Sequence, residues 1–242
     1  MNTLPSPYKA KIKLFSDGAD KAQLLEMNQD PKIAGMTTNP SLMKKAGVKN
    51  YKEFCLEVLN HIKTKPISFE VFADDIAEMH EQALEIAKWG QNVYVKIPVM
   101  NTKGEVTTKL IHELSHANVK LNVTAVFTIP QAFEVTQALK GGAPSILSVF
   151  AGRIADSGRD PLPLMRGCAE LCAATDKNIE LLWASTREVY NIVQAEESGC
   201  HIITAPADVL KKVSGFNKDP WQLSLETIKT FKADSESAGF KL

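Results

Sequence analysis

Short apolar runs alternate with amphipathic stretches along the whole chain. Eight runs read as strands: 12–17 (I-K-L-F-S-D), 33–39 (I-A-G-M-T-T-N), 67–73 (I-S-F-E-V-F-A), 92–99 (N-V-Y-V-K-I-P-V), 121–127 (L-N-V-T-A-V-F), 145–152 (S-I-L-S-V-F-A-G), 179–185 (I-E-L-L-W-A-S) and 201–206 (H-I-I-T-A-P). Continuous apolar, β-branched runs of this length mark strands buried on both faces of a parallel sheet. The stretches between them carry the helical period. Ala22, Leu24 and Leu25 mark 19–29; Pro40 and Ser41 open a helical region whose Phe54, Val58, Leu59 and Ile62 share a face. Asp74 or Asp75 caps a helix carrying Ile76, Met79, Ala83, Ile86 and Ala87, which Gly90 ends. Leu110, Ile111 and Leu114 mark the next; Pro130 suits the first turn of another; 161–175 is helical; Val189, Ile192 and Val193 lie in a helix that stops at Gly199. A short helix at 208–213 and a longer one at 223–232 finish the chain.

Strands alternating with helices without a linker imply parallel pairing through right-handed crossovers. Eight such units in 242 residues predict an α/β protein with a closed (β/α)8 barrel, which takes roughly 250 residues. No Gly-rich phosphate fingerprint follows any strand, which counts against an open dinucleotide-binding sheet. The expectation is one barrel domain over 1–242, with 223–242 a C-terminal helix and tail outside the eight units.

Composition narrows the function classes. Apolar residues make up 44% of the chain, too many for a disordered one. The 28 basic and 28 acidic residues balance, so no whole-chain charge points to nucleic acid or an anionic membrane. The first residues lack the apolar segment of a secretory signal, and no apolar run approaches the ~18 residues of a membrane span. Cys55, Cys168, Cys172 and Cys200 show no paired metal spacing and read as reduced thiols of a cytoplasmic protein.

The chemistry gathers where barrel enzymes place it, at the C-terminal ends of the strands. Lys96 lies inside the apolar run 92–99, where Pro98 should end the strand. A buried ammonium is costly unless paired, and desolvation favours the neutral, nucleophilic amine that condenses with carbonyls. Read alone, the stretch fits an ordinary strand-end lysine reaching into water better. The other strand ends shift that balance. They carry Asp17, Thr37, Asn39, Glu70, Asn122, Thr124 and Ser148, with Arg153 just beyond the sixth, Ser185 on the seventh and Arg187 after it. Singly, each could be a cap or a barrel-layer hydrogen bond, and Ser185 or Thr186 could cap a helix. Together they supply a nucleophile, two carboxylates, hydroxyls and amides for a polyhydroxy substrate, and two guanidiniums for an anion. The motif H-E-L-S-H at 112–116 matches the zinc-peptidase pattern, but Leu110, Ile111 and Leu114 define the apolar face and put His112 and His116 on the solvent side, so no metal site is expected there.

The motifs G-M-T-T-N-P-S (35–41), V-K-I-P-V around Lys96, N-V-T-A-V-F (122–127), S-V-F-A-G-R-I (148–154) and W-A-S-T-R (183–187) occur in the order found in the transaldolase family, which the chain resembles. That family includes the closely related fructose-6-phosphate aldolases, and the compact length resembles its short subfamilies. The resemblance implies a Schiff-base lysine at Lys96, an acid/base carboxylate at Asp17, and a proton relay of Glu70 and Thr124 sharing a water. It implies hydroxyl binding by Asn39, Asn122 and Ser148, phosphate binding by Arg153 and Arg187 with Ser185 assisting, and a less defined role for Thr37. It implies ping-pong transfer of a dihydroxyacetone unit between sugar phosphates without metal or organic cofactor, and a homo-oligomer, pentamer or decamer, using the terminal helix. The segment A-D-S-G-R-D-P at 155–161 differs from the long transaldolases. In the fructose-6-phosphate aldolases the places of Glu70 and Phe150 hold a glutamine and a tyrosine. An aldolase that releases dihydroxyacetone, a transaldolase acting on an acidic sugar, and a barrel that only binds sugar phosphates stay open.

Overall fold

The protein was analysed as a computed structural model that describes residues 8–241. Eight parallel strands close in sequence order into one barrel: β1 (Lys13–Asp17), β2 (Ile33–Thr37), β3 (Ile67–Glu70), β4 (Val93–Pro98), β5 (Leu121–Val126), β6 (Ser145–Val149), β7 (Ile179–Trp183) and β8 (Ile202–Ala205). The helices are α1 (Lys21–Gln29), α2 (Pro40–Lys45), α3 (Tyr51–His61), α4 (Ile76–Ala87), α5 (Thr108–His116), α6 (Ile129–Leu139), α7 (Ala151–Asp156), α8 (Leu162–Thr175), α9 (Asn191–Glu197) and α10 (Ala207–Lys211). The barrel unit is Ala10–Leu210; the segment from Lys211 onward belongs to a second unit, with a 3-10 turn at Lys212–Gly215 and α11 (Pro220–Ser237).

Local chemistry starts these helices. Asp20, Asn39, Asn50 and Asp75 each accept backbone N–H groups of the first turn, and Thr128 forms a reciprocal capping box with Gln131 around Pro130. Asp75, not Asp74, caps α4; Asp74 instead binds the backbone N–H and the hydroxyl of Thr102 at 2.8 and 2.7 Å. Helix α4 ends at Ala87, three residues before Gly90. The apolar run 145–152 is split, because β6 stops at Val149 and Ala151 already begins α7. Apolar character alone could not separate a strand from the buried start of a helix. Strand β2 likewise stops at Thr37, and Asn39 lies in the turn as the cap of α2.

The barrel interior is layered by the period of two along each strand. At the N-terminal end Lys13 pairs with Glu180, Nζ to Oε1 at 2.7 Å. Above that, Phe15, Ile146, Leu182 and Ile202 from β1, β6, β7 and β8 form a buried cluster, against which Tyr94 of β4 packs from across the barrel. Gly35 on β2 makes room for it, since a Cβ there would lie 2.5 Å from the Phe15 ring. Two residues further along five of the strands a polar side chain follows: Asp17 after Phe15, Thr37 after Gly35, Lys96 after Tyr94, Ser148 after Ile146, Thr204 after Ile202, while on β7 Leu182 is followed by the apolar Ala184. The apolar layer is thus the floor beneath a polar layer at the C-terminal mouth.

Candidate active site

Register decides which polar side chains meet. Glu70 of β3 lies directly opposite Lys96 of β4. Lys96 is 6% exposed, so it is no strand-end lysine reaching into water. Its Nζ lies 3.1 Å from Glu70 Oε2 and donates to the Thr38 carbonyl at 3.1 Å. Burial is therefore met by pairing, which is what a buried charge requires.

Asp17 ends β1 and pairs in register with Thr37 of β2. The Thr37 hydroxyl donates to Asp17 Oδ1 at 2.8 Å and lies 2.5 Å from the Thr204 hydroxyl of β8. Burial pushes the Asp17 carboxyl above its ordinary range; the Lys96 charge and the Thr37 hydrogen bond oppose this, and Glu70 adds to it. A second chain crosses the barrel. Ser148 donates to Asn122 Oδ1 at 2.6 Å, and Asn122 Nδ2 donates to the Ser68 hydroxyl at 2.9 Å, all three residues being buried. Thr124 is buried and its hydroxyl has no partner among the described residues. It sits at a bulge, where β5 carries one residue more than β6 between Val123 and Val126 and Ala125 takes a left-handed φ of 59°. Bulges of this kind re-aim side chains beside functional sites. Asn39 Oδ1 is committed to the N–H of Leu42, which leaves its amide nitrogen as the group available to a ligand.

The turns that carry the two arginines cross closely. The Gly152 N–H donates to the Ala184 carbonyl at 3.3 Å, and a Cβ on Gly152 would lie 1.6 Å from the Ser185 carbonyl oxygen and 3.2 Å from Arg187 Cγ. Ser185 takes a left-handed φ of 64°, a strained state for a residue with a Cβ. This crossing brings the residue before Arg153 up to the stem of Arg187, and the charges of both arginines act on Asp156. Arg153 is exposed with its guanidinium 5.1 Å from the Phe150 ring centroid. Arg187 is held in a fork by Asp156, Nε to Oδ2 at 3.0 Å and Nη2 to Oδ2 at 2.5 Å, which raises the Arg187 pKa and holds the Asp156 carboxyl below its usual range. Neither Ser185 nor Thr186 caps α9: Thr186 donates to the Thr204 carbonyl at 2.7 Å, and Asn191 takes the N–H groups of Arg187 and Glu188.

Every residue of the expected set therefore lies at this end of the barrel or in the turns above it, and Ser68, Thr204, Gly152 and Asp156 join it unforeseen. Ser68 and Thr204 had a sequence signal, because each sits two places along a strand from an inward residue. Gly152 and Asp156 had none. His112 and His116 stack on exposed α5 with ring centroids 4.0 Å apart, and His116 Nδ1 meets the His112 carbonyl at 2.9 Å. Among the described residues no three His, Cys, Asp or Glu side chains group to hold a metal ion.

Comparisons with known proteins point the same way. The family model described as Transaldolase/Fructose-6-phosphate aldolase matches residues 14–242. A protein of a Thermoanaerobacter species named "Probable transaldolase" is 36% identical over 231 residues, covering 96% of this chain and 100% of that one. A Bacillus cereus "Probable transaldolase 1" and a Methanococcus maripaludis "Probable transaldolase" are each 36% identical, covering 93% of this chain and 98% of theirs. A solved structure titled "Native KDPGal structure" has a TM-score of 0.56 at 12% identity, covering 97% of this chain and 100% of that chain, and shares the fold.

The tight crossing at Gly152 is directly testable. Gly152→Ala must force the two turns apart, an overpacking of about 1–3 kcal/mol, seen as a melting temperature lower by roughly 2–12 °C. An unchanged melting curve would contradict the close approach.

Proposed function

The chain belongs to the transaldolase/fructose-6-phosphate aldolase family, and within it we propose that the protein is a transaldolase. It moves a dihydroxyacetone unit from a ketose phosphate, such as fructose 6-phosphate or sedoheptulose 7-phosphate, to an aldose phosphate. The observation that carries this reading is Lys96 Nζ, buried in the barrel mouth 3.1 Å from the Glu70 carboxylate, with Asp17 facing the same space.

The cycle follows from these groups. Glu70 takes a proton from Nζ, and the free amine attacks C2 of the ketose phosphate. A second proton passes from that nitrogen to the C2 oxygen to give a carbinolamine, Glu70 returns the first to the resulting hydroxyl, and water leaves as the nitrogen lone pair forms an iminium ion on Lys96. Asp17 takes the proton of the C4 hydroxyl; the C3–C4 bond breaks, its electrons neutralise the iminium, and an aldose phosphate departs. A three-carbon enamine stays on Lys96. Ser148, Asn122 and the free amide nitrogen of Asn39 bind its hydroxyls, and the unpartnered hydroxyl of Thr124 holds a water shared with Glu70. Arg153 and Arg187, with Ser185, bind the phosphate at the rim. The enamine then attacks the second aldose, Asp17 returns its proton, and hydrolysis of the iminium frees the new ketose. No step calls on a metal or an organic cofactor. The four cysteines are free and buried, which suits a cytoplasmic enzyme.

Transfer is favoured over release by Phe150. Its ring packs against the interior cluster and lies 5.6 Å from the Phe127 ring. The aldolases this chain resembles have a tyrosine here, whose hydroxyl can hold and polarise a water; Phe150 leaves that side apolar. Helix α11 supports the homo-oligomer, pentamer or decamer, because it leaves Leu223, Ile228 and Phe231 exposed at 46%, 60% and 64%.

Two measurements follow. With fructose 6-phosphate as donor, transfer to erythrose 4-phosphate should exceed release of dihydroxyacetone by ~100-fold, a gap of roughly 2.7 kcal/mol in barrier, and Phe150→Tyr should narrow it. Comparable rates with and without the acceptor would make the protein an aldolase. Light scattering of the full chain should give a mass several times that of the 26.6 kDa monomer; a monomer would refute the assembly.

A further inference from the structure

The Thr204 hydroxyl has no part in the cycle above, yet it lies 2.5 Å from Thr37 Oγ1, which itself contacts Asp17. We propose that Thr204 is a positioning residue for Asp17: its hydroxyl donates to Thr37, commits the single Thr37 proton to the Asp17 carboxylate, and so keeps that carboxylate ionised and fixed towards the mouth. The proposal rests on the reading of Asp17 as the acid/base group.

Proton counting gives the chain its direction. A threonine hydroxyl has one proton and can accept as well as donate, whereas an ionised carboxylate only accepts. With Asp17 ionised, Thr37 donates to Asp17 Oδ1 at 2.8 Å, and the contact between the two threonines is then a donation from Thr204. Each donation strengthens the next, since a hydroxyl that accepts a hydrogen bond becomes a better donor. The opposite polarity, with a protonated Asp17 donating to Thr37 and Thr37 to Thr204, leaves the Thr204 proton without an acceptor. Among the described residues Thr204 Oγ1 has no other hydrogen-bond partner, and the residue is 5% exposed. Losing an acceptor in such a place is costly, so the chain favours the ionised carboxylate.

The other groups acting on Asp17 are known. Burial raises its pKa, Lys96 from β4 lowers it, Thr37 from β2 lowers it, and Glu70 from β3 raises it. The Thr204–Thr37 chain thus acts beside Lys96 against burial and Glu70. It also ties two parts of the mouth together, because the Thr204 carbonyl accepts the Thr186 hydroxyl next to Arg187. That backbone bond survives any side-chain substitution at 204, so Thr204→Val removes the hydroxyl while keeping the β-branched shape.

The test follows kcat/KM for cleavage of fructose 6-phosphate against pH, together with a carbon-13 NMR titration of the Asp17 carboxyl in selectively labelled protein, assigned with Asp17→Asn. Thr204→Val should move both the acidic limb and the Asp17 titration upward by about 0.5 pH unit, a threefold change in proton affinity. Thr204→Ala, a second variant in case valine fits poorly, should move them the same way. Thr204→Ser should restore both. Titrations that coincide in the unmodified protein and in the Val and Ala variants would overturn the proposal. Absence of cleavage by the unmodified protein would overturn the transaldolase reading instead, and the NMR titration would still decide whether Thr204 acts on Asp17.

Discussion

A lysine and a glutamate facing each other across adjacent parallel strands, 3.1 Å apart in the mouth of a barrel with an apolar floor, constrain what can surround them. Neither charge is tolerable there alone, and removing one partner of such a buried pair typically costs about 3–5 kcal/mol. Most of their neighbours satisfy one another, the Thr124 hydroxyl excepted. The Thr38 carbonyl takes the lysine's second contact, Thr204 and Thr37 serve Asp17, and Ser148, Asn122 and Ser68 form a chain of their own. Beneath them the layer of Phe15, Ile146, Leu182 and Ile202 closes the floor. The strained backbone sits at the rim of this arrangement, at Ala125 beside Thr124 and at Ser185 between the two arginine turns. Left-handed residues of this kind cost about 1–3 kcal/mol each and persist where the surroundings hold them.

The charges are graded by depth. At the base of the mouth buried Lys96 is paired with half-buried Glu70. At the rim Arg153 is exposed, and Arg187, with 47% of its side chain exposed, is held by Asp156 through Nε and Nη2. A guanidinium has five N–H donors, so this grip leaves Arg187 donors for an anion while fixing the plane in which they lie. In the transaldolase reading proposed above, a phosphorylated sugar would meet the rim guanidiniums first and the paired charges last, with its reacting carbons at the lysine.

Much of this was legible in the chain itself. The alternation of apolar runs and helical stretches was enough for the barrel, because a strand buried on both faces has a distinctive composition and eight of them leave few topologies. Lys96, Asp17 and Glu70 stood out because charged residues are rare in such runs. What stayed hidden depended on contacts between distant segments. Thr204 and Ser68 read as ordinary β-branched or small strand residues; only barrel closure and register bring them to Thr37 and Asn122. Gly152 drew no notice because nothing local demands a glycine; the demand comes from the Ser185 carbonyl, more than thirty residues on. The apolar run 145–152 takes in the first two residues of helix α7, Ala151 and Gly152, for want of a polar break, and nothing in the segment 155–161 marks Asp156 as the partner of Arg187. Asn39 was placed on a strand and is a helix cap, because a cap residue adopts the same extended backbone as a strand end.

The central claim is that Lys96 is the nucleophile, and chemical trapping tests it most directly. The full-length protein is incubated with fructose 6-phosphate, reduced with borohydride, digested and examined by mass spectrometry. A nucleophilic Lys96 gives a reduced three-carbon sugar fragment on the peptide containing Lys96, and the fragment disappears in Lys96→Ala. An unmodified Lys96 peptide, or an adduct formed on a different lysine, would contradict it.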